Sequence, residues 1–143
     1  MKRFVIVLGA ALFLTVTSAA IAQSESVEDK KSTAVIAALN WLALLDEGAY
    51  EASWEDAAAY FKNAVNKSQW ESAIAAIFEP LGAVLSRELD TATYSATLPG
   101  APDGEYVVIQ FKTSFENKTS AIETVTPMLD PDGSWRVSGY FIK

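Results

Sequence analysis

"LPGAPDGEYVVIQFKTSF", residues 98–115, is the stretch on which the reading of this chain turns. Two prolines, two glycines and an aspartate fall within its first seven residues, and a long run of strand-forming residues follows. A phosphate-binding loop would need a Lys-Ser/Thr pair and a helix behind it, and neither is there. The punctuated part is therefore a connection between strands. The run after it alternates, with Val107, Ile109, Phe111 and Phe115 on one face and Tyr106, Val108, Gln110, Lys112 and Ser114 on the other. A strand over 105–116, half-buried on a core, follows from that pattern.

Working outward, the alternation continues on both sides. Upstream, Leu85, Arg87 and Leu89 share one face of a strand that runs to about Thr97. Downstream, Asn117 and Lys118 make a tight reversal into a strand over 120–129. "DPDGS", residues 130–134, is a turn, with Pro131 suited to its first central position and Gly133 able to take positive φ. The last strand covers 135–143, with Trp135, Val137 and Phe141 inward, Arg136 and Tyr140 on the solvated face, and Gly139 marking a bulge or a close backbone approach. Short connections require antiparallel pairing.

Before residue 84 the period is helical. A first helix over 32–47 has a centre, "TAVIAALNWLALL", that is apolar nearly all round, as in a helix buried on most sides. A second, from Tyr50 to Val65, aligns Tyr50, Trp54, Ala57, Phe61 and Val65. A third starts at Ser68, where Ser68 and Glu71 have the capping-box spacing, and Pro80 and Gly82 end it. Three N-terminal helices on a curved four-stranded antiparallel sheet make an α+β domain.

The chain opens with Lys2 and Arg3, an apolar run from Phe4, and "AIA" before Gln23, the pattern of a cleavable signal peptide over 1–22. Phe4 to Ala22 is also about long enough to cross a bilayer; the small residues at its end favour cleavage. The expected organisation is the signal peptide, a flexible lead-in over 23–31 and one domain over 32–143. The destination is the periplasm or the exterior, with no stable membrane insertion after cleavage. Losing Lys2 and Arg3 takes the formal charge from −7 to −9, which argues against nucleic acid or an anionic membrane as partner.

The chain contains no His and no Cys. That excludes a Ser-His triad, a thiolate nucleophile, an imidazole base, a disulfide and a conventional zinc site. "DPDG" lacks the further oxygen ligands of an EF-hand loop, so neither a metal nor another cofactor is expected. Charge on apparently buried strand faces is the main anomaly. Arg87 alternates with Leu85 and Leu89, and Glu123 with Ala121, Val125 and Leu129. Either the two form a buried ion pair or reach solvent at an edge, or they line a pocket as anion clamp and base. Asn40, interrupting the first helix, is a hydrogen-bonded polar group at the helix edge or a cavity lining. With the aromatic Trp54 these make the candidate ligand-binding set: Arg87, Glu123, Asn40 and Trp54. No catalytic residue is assigned.

"WLALLDEGAYEASWEDAAAYFK", "LGAVLSREL", "LPGAPDGEYVVIQFKTSFENK", "AIETVTPML" and "DGSWRVSGYFIK" together resemble a bacterial exported family, domain of unknown function 4019, over about residues 34–143. That resemblance implies no activity and no ligand. "LDEGAYEASW" after a buried helix is similar, more distantly, to the opening of nuclear transport factor 2-like domains. That likeness implies a cone of curved sheet around a pocket, in a superfamily of isomerases, dehydratases and binding modules. The expectation is a non-enzymatic module that binds a small apolar ligand or an envelope protein. The alternative is a carboxylate-based isomerase or lyase with its pocket inside the cone.

Overall fold

The computed structural model describes residues 23–143, so the expected signal peptide lies outside the described residues. The elements are α1 (Val27–Asp46), α2 (Tyr50–Glu55), α3 (Ala59–Ala64), α4 (Lys67–Phe78), a 3-10 turn (Glu79–Leu81), then β1 (Val84–Ser95), β2 (Tyr106–Phe115), β3 (Lys118–Leu129) and β4 (Trp135–Ile142). The four strands form one antiparallel sheet in the order β1-β2-β3-β4. The α+β class and the strand meander are as expected. No helix among the described residues is long and apolar enough to cross a membrane.

The helical half departs from the expectation in three places, each with a local cause. α1 starts at Val27 rather than Ser32, because Ser26 and Asp29 form a capping box: the Ser26 hydroxyl accepts from the Asp29 amide at 3.1 Å, and the Asp29 carboxylate accepts from the Ser26 amide at 3.3 Å. The extended lead-in is thereby reduced to residues 23–26. The second helix is two helices. Ala58 leaves helical geometry (φ −59°, ψ 150°) to donate its amide to the Val137 carbonyl at 2.8 Å, and the wholly buried Ala57 and Ala58 let the backbone approach β4 that closely. α4 begins one residue earlier than read, on a capping box formed by Asn66 and Gln69 instead of Ser68 and Glu71. Pro80 and Gly82 close it as expected; Gly82 sits at φ +74°.

α1 crosses the inner face of the sheet and touches all four strands. The core between them holds Trp41, Leu42, Leu45, Ile74, Phe111 and Phe115, each under 9% exposed. Rings stack through it: Trp41 lies 5.8 Å from Trp70 and 5.6 Å from Tyr140, and Phe78 meets Phe115 edge-on at 6.0 Å. Ser53, fully buried, joins two of these rings. Its carbonyl accepts the Trp41 indole N–H at 2.8 Å and its hydroxyl accepts that of Trp70 at 2.9 Å.

Extra residues break the alternation of β1 and of β4. In β1, Leu85 and Asp90 have no opposite number on β2, so each is an extra residue; Leu85 stands exposed instead of sharing the Arg87 face. In β4, Gly139 pairs with Thr126 and Val137 with Pro127, which leaves Ser138 over. The Ser138 hydroxyl donates to the Thr126 carbonyl at 2.7 Å and holds this bulge. Beyond it the faces exchange. Phe141, expected inside, is 55% exposed, and Tyr140, expected on the solvated face, turns into the core.

Candidate functional site

Glu123 lies near the middle of β3 on the inner face and has no exposed surface. A carboxylate in that position is tolerable only if its charge and lone pairs are answered. Both are. Arg87 of β1 donates Nε–H to Oε1 at 2.7 Å and reaches Oε2 with Nη2 at 3.4 Å. Thr113 of β2 donates its hydroxyl to Oε1 at 2.5 Å, and Tyr140 of β4 donates its own to Oε2 at 2.7 Å. One side chain from each of the other three strands thus converges on a single carboxylate.

The guanidinium has a second partner. Arg87 Nη1 and Nη2 donate side by side to Asp46, the last residue of α1, at 2.7 and 2.9 Å. This bidentate fork is the geometry in which Arg–carboxylate pairs are strongest. Asp46 is the more solvated end of the cluster, at 26% side-chain exposure against 10% for Arg87 and none for Glu123. Burial works against the Arg87 charge, but the bonds to Asp46 and Glu123 outweigh it and hold the guanidinium above its ordinary pKa. Burial, then the charge of Glu123 and the bond to it, holds the Tyr140 phenol well above its ordinary value. It therefore stays a donor at any physiological pH.

The far end of α1 carries a smaller cluster. Lys30 forms an ion pair with Glu105, which also accepts the Tyr94 hydroxyl at 2.9 Å. Lys30 and Tyr94 together keep the Glu105 carboxyl below the usual carboxylate range. α1 is thus tied at both ends to the β1–β2 side of the sheet.

Of the four sequence candidates, Arg87 and Glu123 meet, as the buried ion pair that was one of the two readings. Asn40 and Trp54 are elsewhere. Asn40 is exposed on the outer side of α1, where it lines an open surface groove of about 870 Å³ that α1 forms with α2. Trp54 is half-buried, donates its indole N–H to the Val65 carbonyl at 2.8 Å, and has Lys67 over its ring at 5.5 Å. Three members of the cluster were missed. Thr113 carried a signal, since it interrupts the apolar face of Val107, Ile109, Phe111 and Phe115. Tyr140 was hidden by the β4 bulge. Asp46 had no distinguishing mark.

Chemically, a carboxylate already accepting four hydrogen bonds has no free lone pair to take a proton from a substrate, so the arrangement favours cohesion over general-base work. Among the described residues no three His, Cys, Asp or Glu side chains come together in a way that would hold a metal ion.

The sequence matches no curated protein. The family model described as "Protein of unknown function (DUF4019)" matches residues 37–140, which include the whole Asp46–Arg87–Thr113–Glu123–Tyr140 cluster, and the chain belongs to that family.

Proposed function

We propose that this protein is exported under its N-terminal signal peptide and serves, without turnover, as a binding module for a partner protein in the cell envelope. The observation that carries this reading is the state of Glu123. It is the best-placed candidate for a base, and both its oxygens are committed to Arg87, Thr113 and Tyr140. A nuclear transport factor 2-like cone is the fold we infer, supported by a meander of four strands with α1 laid across its inner face. In such a cone a small apolar ligand would sit between helix and sheet. Here Trp41, Leu42 and Phe111 fill that space, which favours a protein partner met at the surface.

The test uses the purified protein immobilised against solubilised envelope of the producing cell, alongside a melting-temperature screen of metabolites. A specific envelope protein, retained equally by wild type and Glu123→Gln, is the expected result, with no metabolite raising the melting temperature. A metabolite that stabilises the wild type but not the Glu123→Gln form, or a turnover lost in that variant, would return the pocket enzyme in its place.

A further inference from the structure

The first helix was expected to be buried on most sides, and it is not. Its inner face is Ala34, Ala38, Trp41, Leu42 and Leu45. On the opposite face Ile36 is 59% exposed and Leu39 42%, with Ala43 one turn further on. Exposed β-branched and leucine side chains in line on one helix, with nothing in the domain above them, form an uncovered apolar ridge.

The ridge does not stand alone. On its α2 side lies the groove of about 870 Å³, lined by Asn40, Leu44, Ala49 and Ala52 together with an acidic wall of Glu51, Glu55 and Asp56. Lys67 reaches Glu51 at 3.0 Å and also pairs with Glu55, but it approaches them from the α4 side. Asp56 has no ion-pair partner among the described residues. Lys62 is the other cation close by, its Nζ donating to the Glu55 carbonyl at 3.0 Å; three carboxylates against two lysines leave the wall net negative. An apolar strip bordered by acid along one side has a specific complement: a helix with apolar residues at i, i+3, i+4 and i+7 and basic residues along one flank.

We propose that the outer face of α1 and its groove with α2 receive an amphipathic, basic-flanked helix of a partner protein. The charge disfavours the other occupants. A second copy would bring an acidic wall against an acidic wall, in a chain of formal charge −7. An anionic lipid surface would be repelled by the same residues. The inference rests on the binding-module reading above and gives that module its surface.

The probe is a synthetic eighteen-residue Leu/Lys amphipathic helix, measured by fluorescence anisotropy against the full protein. Its controls are a Leu/Glu peptide of the same pattern and a Leu/Lys peptide of scrambled order. The Leu/Lys helix should bind, with affinity falling at least about tenfold in the Ile36→Ser/Leu39→Ser double variant. A comparable loss is expected in Glu51→Gln/Glu55→Gln/Asp56→Asn, and both controls should bind far more weakly. All substituted side chains are exposed or line an open groove, and urea midpoints near wild type check that the variants fold. Binding that ignores the Ile36 and Leu39 changes, or equal binding by either control, overturns the proposal. So does self-association, or adhesion to phosphatidylglycerol vesicles, that depends on Ile36 and Leu39. If the envelope partner of the preceding section is still retained by Ile36→Ser/Leu39→Ser, this surface is wrong and the binding module stands. If wild type retains no partner at all, it is the module that falls.

Discussion

Replacing Arg87 by Met removes the only cation that faces Glu123 among the described residues and keeps most of the side-chain volume. Glu123 would then be a fully buried carboxylate held by Thr113 and Tyr140 alone, with Asp46 nearby as a second negative charge. Breaking a buried pair from one side costs about 3–5 kcal/mol, because the remaining charge stays desolvated. For a domain of this size that is a fall in melting temperature of roughly 10–20 °C. Glu123→Gln should cost less, about 1–3 kcal/mol, since the Arg87 fork to Asp46 survives and no buried charge is orphaned. The double variant should cost less than the sum, with a coupling of about 1–3 kcal/mol. Urea titrations followed by tryptophan fluorescence measure all four species, and a constant m-value certifies that only stability changed. A penalty under about 1 kcal/mol for Arg87→Met, or strict additivity in the double variant, would refute the idea that this cluster holds the sheet together.

Three further outcomes follow from single contacts. Ser53→Ala strips the acceptor from the buried Trp70 indole and should cost about 1–3 kcal/mol in a urea titration, with a change in tryptophan emission. Tyr140 binds its proton more tightly in the folded state, so the stability it contributes is complete below about pH 10, the unfolded value, and is lost as pH rises through the folded one. Tyr140→Phe should therefore flatten the alkaline arm of the stability curve by up to about 1.4 kcal/mol per pH unit; an unchanged slope counts against the burial of that phenol. Gly82→Ala places a Cβ 3.0 Å from Glu116 Cβ at a φ of +74°, and should lower stability by more than about 1 kcal/mol by thermal melt.

Where side-chain pattern alone sets structure, the sequence was informative. The alternation of Val107, Ile109, Phe111 and Phe115 gave β2 and its buried face, and the turns gave the meander, although the reversal expected at Asn117 and Lys118 falls at 116–117 and Lys118 already begins β3. What failed was parity counting. A strand's faces are legible only while every residue pairs, and Ser138 and Asp90 each break the count by one. Tyr140 was lost from the cluster for that reason alone. Ala57 and Ala58 read as helix because alanine suits a helix best, yet their small size serves here to admit β4. Likewise "TAVIAALNWLALL" has apolar residues on every side, and composition cannot say that Ile36 and Leu39 stay uncovered. The ion pair was half legible: two charges in apolar alternation marked Arg87 and Glu123, whereas Asp46 is joined to them only by the fold.

The members of the Glu123 cluster are spread from residue 46 to residue 140, and this has a bearing on how the chain is made. As the polypeptide lengthens, Asp46 and Arg87 appear early, Glu123 much later, and its last donor only after the bulge at Ser138 has formed. Until then a carboxylate destined for the interior is one bond short, and burying it early is unfavourable. Such long-range closure slows folding and gathers it into one late step. Stretches of this domain emerging ahead of residue 140 should stay loose and protease-sensitive, a property that would suit the export proposed above.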